Sequence, residues 1–131
     1  MTDSDFYGIA GKYIGRSYDL DDYNCRHLAC DFMQDMGIDA YDLFGIGKSE
    51  SVKTWRDSFR SLSKHFAKVK EIPATCLLLV YSDRGNHVAI KHKHHVLHNF
   101  GANKNGMVLM TDYLSFKDSY HRIDCYLFPV K

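Results

Sequence analysis

The sequence predicts an α+β domain: helices first, packed on an antiparallel sheet of about five strands. Two patterns and one bulk property lead there. Apolar residues recur at steps of three and four through roughly the first seventy positions, the spacing of amphipathic helices. After Pro73 the pattern changes to short apolar runs separated by turn-forming residues, as strands require. The chain has 131 residues, 45% hydrophobic and 14% aromatic. That suits one folded domain over residues 1–131 with a single core.

The first helix is expected from about Ser4 to Ile14, with Phe6, Ile9, Ala10, Tyr13 and Ile14 on one face and Gly15 at its end. The second is expected from Cys25 to Met36. Its stripe is Leu28, Ala29, Phe32, Met33 and Met36, with Asp22 or Asn24 as cap and Gly37 at the C′ position. Residues Gly45–Glu50 read as a loop. A third helix is expected over Ser51–Val69, where Val52, Trp55, Phe59, Leu62 and Phe66 repeat at helical spacing as packing residues and Lys64, Lys68 and Lys70 form a solvated face. Strands are then expected at Cys76–Tyr81, His87–Lys91, Val96–Phe100, Met107–Thr111 and Ile123–Phe128. Turns fall at Ser82–Asn86 and Asn103–Gly106, and a helical or irregular stretch runs to about Tyr120.

Seventeen basic residues balance sixteen acidic ones. Such a chain has no global field for capturing nucleic acid or anionic lipid, so neither nucleic-acid binding nor membrane insertion is expected. The start lacks a basic leader and an apolar h-region, and the longest apolar run, Cys76–Tyr81, is too short to span a bilayer. The expectation is a soluble protein without a signal peptide, made in the cytoplasm. Cys25, Cys30, Cys76 and Cys125 form no CxxC pair and read as free thiols.

Cys25 stands apart because it opens the second helix. Unpaired N–H groups and the dipole at a helix start favour a thiolate, and the same groups can bind the oxygen of a tetrahedral intermediate. A thiol nucleophile also needs a base and a group that orients the base. His87, after the Gly85-Asn86 turn, is the candidate base. His98 lies eleven residues later, and a hairpin around Lys91–His95 would bring the two strands side by side, with His98 on the far ring nitrogen of His87. Cys30, Cys76 and Cys125 sit in apolar patterns and read as core. The run His92-Lys93-His94-His95 with His98 lacks the spacing of a zinc site and reads as a solvated hairpin tip. No metal and no cofactor are expected.

These residues also resemble a family. Gly15-Arg-Ser-Tyr18, then Asn24-Cys25 at a helix start, then His87-Val-Ala-Ile90 and Val96-Leu-His98 are similar to the segments of the NlpC-type cell-wall cysteine peptidases, a papain-like superfamily. The likeness runs from about residue 7 to 128. It is nearest to short leaderless versions in the tail tips of long-tailed phages. It implies a papain-like NlpC-type fold and a thiol peptidase that cuts peptidoglycan stem peptides, commonly between γ-D-glutamate and diaminopimelate. Cys25, His87 and His98 would be catalytic, and Tyr18 and Asn24 would lie at oxyanion or substrate-binding positions, with Tyr23 an alternative to Tyr18. Implied partners are the stem peptide and other tail-tip proteins, and the implied place of action is a virion tail at the host wall. The chain departs from the pattern where Asn24 replaces an Asp before the nucleophile and Arg26-His27 replaces Ser-Gly after it. The alternatives are an assembly module that keeps the fold without the chemistry, and a papain-like amidase with a non-peptidoglycan substrate.

Overall fold

The computed structural model of the chain describes residues 1–17, 19, 24–43, 64–82, 85–100 and 106–129. Four helices are described: α1 (Asp3–Ala10), α2 (Cys25–Asp35), α3 (Ala40–Leu43) and α4 (Tyr113–Lys117). Six strands form one sheet: β1 (Ala67–Val69), β2 (Thr75–Ser82), β3 (Gly85–His92), β4 (His95–Phe100), β5 (Met107–Asp112) and β6 (Arg122–Leu127). The strand order is β1-β6-β2-β3-β4-β5, and all pairings are antiparallel. The protein is therefore α+β, with six strands rather than five among the described residues.

Alternation along the strands sends side chains to two apolar layers. Leu77, Leu79, Val88, Ile90, Leu97 and Val108 meet Phe6, Leu28, Phe32 and Met33 of α1 and α2 on one face. Cys76, Leu78, Val80, Ala89, Val96 and Cys125 meet Phe116 of α4 on the other. The stripe expected on the second helix is the buried face of α2, and Gly37 has the positive φ of 90° that ends it.

Three expectations change. The first helix ends at Ala10, where the bonds of Lys12, Tyr13 and Arg16 tighten to three-residue spacing and the Gly15 N–H bonds to the Val108 carbonyl at 2.9 Å. This couples the segment to the edge of β5, where Ser17 bridges Met107. The helix expected over Ser51–Val69 falls largely outside the described residues. Its described end is a strand, since β1 pairs with β6 (Ala67↔Leu127, Val69↔Cys125). Pairing with a distant strand outweighs local spacing here, and Phe66 is buried in the core regardless. Lys68, expected on a solvated face, ion-pairs with Asp124 at 3.3 Å. Finally, His92 is not at a solvated tip. It is 1% exposed, stacked on Phe6 at 4.8 Å and held by the Thr75 hydroxyl (2.6 Å) and Asp3 (2.7 Å). At the expected turn Ser82–Asn86, Ser82 pairs with Gly85, while residues 83–84 of this turn and 101–105 of the other lie outside the described residues.

Candidate active site

Cys25 is the first residue of α2. The helix starts here because Asn24 caps it: its side-chain oxygen accepts from the N–H groups of Arg26 (2.9 Å) and His27 (3.4 Å). In return the His27 Nδ1 accepts from the Asn24 N–H at 3.0 Å, a reciprocal capping box. The two departures from the family pattern thus have local structural work. Asn24 is buried, with its side chain committed to the helix end.

The pairing of β3 with β4 runs only from Ile90↔Leu97 to His92↔His95. Toward its start β3 is met instead by α2. The Cys25 thiol there feels the backbone of Val88, together with the backbone of Cys25 and Arg26 at the helix start. Each of these contacts favours a thiolate, and so does the neighbouring Arg26 charge. Burial works the other way and prevails: Cys25 is 4% exposed and its thiol is pushed up from the usual range.

His87 immediately precedes Val88 at the same end of the sheet, but alternation sends its side chain to the other face: it pairs with Val80, and its ring contacts among the described residues are with His98 and Tyr120, in the layer of Phe116, not with the Cys25 sulfur. Arg26 ties the two segments together. One guanidinium nitrogen lies 3.7 Å from the Cys25 Sγ and another 3.5 Å from the Asn86 carbonyl oxygen. Tyr120 adjoins both groups as well. Its ring stacks on His87 at 6.4 Å and 13°, and burial, then the neighbouring Cys25, raise the pKa of its hydroxyl. Burial, and then the Arg26 charge, push the His87 imidazole down to about 4. The His87 ring is partly buried, but its Nε2 is shielded and has no hydrogen-bond partner.

His98 approaches His87 edge-on, with ring centroids 6.1 Å apart at 90°. Its Nε2 is 3.1 Å from the Thr111 hydroxyl, and its ring packs on Phe116 at 5.0 Å. Burial, and then His87, push its pKa down to about 4. The contact with His87 is ring against ring, not a hydrogen bond on His87 Nε2. Tyr18 and Tyr23 lie outside the described residues.

Both imidazoles and the thiol are therefore neutral near pH 7. The arrangement offers a shielded sulfur at a helix start, a guanidinium nitrogen 3.7 Å from it and an imidazole near the start of β3. Chemically, that suits attack of sulfur on a carbonyl with the developing oxyanion held at the helix start.

The other cysteines are buried in core positions as free thiols. Burial raises the Cys30 thiol strongly, and a hydrogen bond with Cys125 raises that of Cys76. Among the described residues no group of His, Cys, Asp and Glu is arranged to hold a metal ion, and no helix is long and apolar enough to cross a membrane. Sequence reasoning missed Arg26 as a bridge, Tyr120 as the platform under His87, and Thr111 as the partner of His98. Arg26 was visible only as an unusual residue after the cysteine. Nothing in local spacing marks Tyr120 or Thr111.

No protein-family model, curated protein or solved structure matches the chain.

Proposed function

We propose that the protein is a papain-like cysteine hydrolase of the NlpC type that cleaves peptide bonds of peptidoglycan, as part of a phage tail tip. The observation that supports it best is the convergence of Cys25, at the capped start of α2, with the start of β3. There Arg26 spans from the Cys25 sulfur to the Asn86 carbonyl oxygen, one residue before His87. In this reading the Cys25 thiol gives its proton to His87 as sulfur attacks the amide carbonyl. The tetrahedral oxyanion is held by the Cys25 N–H, since the Arg26 and His27 N–H groups already serve the Asn24 cap. The C–N bond breaks, His87 protonates the leaving amine, and water then hydrolyses the thioester. His98 and Tyr120 pack on the His87 ring from two sides and hold its orientation.

The test is release of soluble fragments with new amino termini from purified sacculi. The wild-type chain should release them. Cys25→Ala should lower the rate by at least about a thousandfold. Equal release by the two proteins overturns the proposal.

A second reading, an assembly module of the tail without chemistry, is favoured by one observation. Burial holds Cys25 and His87 apart in pKa, so the resting pair is neutral rather than an ion pair. Alkylation separates the readings. A working site reacts with iodoacetamide at Cys25 faster than free cysteine does at pH 7, and a relic does not.

A further inference from the structure

Arg26 is the unusual feature of this site. Its side chain is 9% exposed, yet among the described residues no carboxylate pairs with it. Its two terminal nitrogens make only long contacts, 3.7 Å to the Cys25 sulfur and 3.5 Å to the Asn86 carbonyl oxygen. Its Nε is shielded from solvent and has no partner at all. A guanidinium is always charged, presents donors in a planar fork and is expensive to bury unpaired. Buried arginines are ordinarily matched by a carboxylate or phosphate, in which two parallel N–H···O bonds form. Here the fork has no acidic partner among the described residues, and one of its nitrogens lies 3.7 Å from the sulfur.

We propose that Arg26 is an anion-recognition residue, and that the ligand of this site carries a carboxylate near the bond that Cys25 attacks. The guanidinium takes that carboxylate through Nε and a terminal nitrogen, the pairing its unused donor leaves open. Binding neutralises the buried charge and seats the reacting carbon against the sulfur. The bound carboxylate also offsets the Arg26 charge that helps hold the His87 imidazole neutral, which makes His87 a better proton acceptor once the ligand is in place. Arg26 is thereby a specificity-determining residue. The substrate side of this inference rests on the hydrolase reading. The anion site itself does not.

The test uses a matched pair of thiol reagents on the intact chain. Iodoacetate carries a carboxylate on the reacting carbon, and iodoacetamide is its neutral counterpart. Both alkylate Cys25 through its thiolate, so the ratio of their rates cancels any change in thiolate fraction and reports recognition of the carboxylate alone. In Arg26→Gln the iodoacetate-to-iodoacetamide ratio should fall by about tenfold or more, as expected for loss of a charge-assisted pair. Arg26→Lys should retain part of the preference. A ratio that changes less than twofold in Arg26→Gln overturns the proposal. A second measurement needs neither reactivity nor a stable variant. The Arg26 Nε–H resonance of the nitrogen-15-labelled protein should shift saturably with acetate and not with sodium chloride at equal ionic strength. Where Cys25 reacts with neither reagent this titration decides, and a resonance that stays in place overturns the proposal. Sacculus cleavage does not enter either readout, so the hydrolase reading and the anion site can fail separately.

Discussion

At the scale of single residues, the site is governed by burial acting against local stabilisation. Exclusion from water raises the Cys25 thiol and outweighs the Arg26 guanidinium and the surrounding backbone, which favour the thiolate. The same exclusion depresses His87 and His98 to about 4. Stability must then depend on pH in one direction. The unfolded imidazoles take protons near 6.5, whereas the folded ones stay neutral until about pH 4. Their contribution is complete above pH 6.5 and is lost as the pH falls from there toward 4. From pH 7 to pH 5 the protein should lose about 2 kcal/mol per histidine, read by denaturant unfolding, and His98→Gln should remove its share of that slope. The sign at Arg26 is opposite to that at most core positions. Because its charge is buried without a carboxylate, Arg26→Met should keep or raise stability, by up to about 1 kcal/mol. A thermal melt checks this.

At the scale of elements, α2 is set by its ends. The capping box of Asn24 and His27 fixes where the helix starts, and with it where the Cys25 sulfur points. Asn24→Ala should cost about 1–2 kcal/mol and Asn24→Asp much less, since aspartate caps as well and suits the dipole. Comparing the two urea midpoints decides it. The first helix is held differently. Phe6 is fully buried, packed on Phe32 and stacked on His92, and His92 is itself tied to Thr75 and Asp3. Phe6→Ala should therefore destabilise the fold by about 3–5 kcal/mol, measured at equilibrium, which far exceeds what an isolated eight-residue helix contributes. The stripe residues of α2 and the Gly37 stop were legible in the sequence, because helical spacing and a left-handed C′ position are local properties. The early end of α1 was not, because it follows from a hydrogen bond to Val108 almost a hundred residues away.

At the scale of the whole molecule, the last strand lies inside the sheet. β6 sits between β1 and β2, so Leu78 pairs with Cys125 and Ala67 with Leu127. A chain ending at residue 121 would lose the partner of both strands and bare the β2 edge together with part of the second apolar layer. It should show no cooperative unfolding transition by circular dichroism, where the intact chain shows one. The long separation between β2 and β6 also implies slow folding for a chain of this size, since loop closure precedes the contacts that reward it.

The α+β class, the apolar face of α2, the start of that helix at Cys25 and the approximate places of five strands were all legible in the residues. Each is written in local periodicity, capping and turn chemistry, which need no knowledge of the rest of the chain. The sequence also brought Cys25, His87 and His98 forward as the residues to watch. Only the tertiary structure decided that β1 is a strand, that β6 is internal and that His92 is buried, because each depends on a partner distant in sequence. Only it placed Arg26 between the sulfur and the Asn86 carbonyl and Tyr120 beneath His87. Whether a guanidinium is solvated or stranded is a matter of what packs around it, and no spacing rule along the chain carries that information.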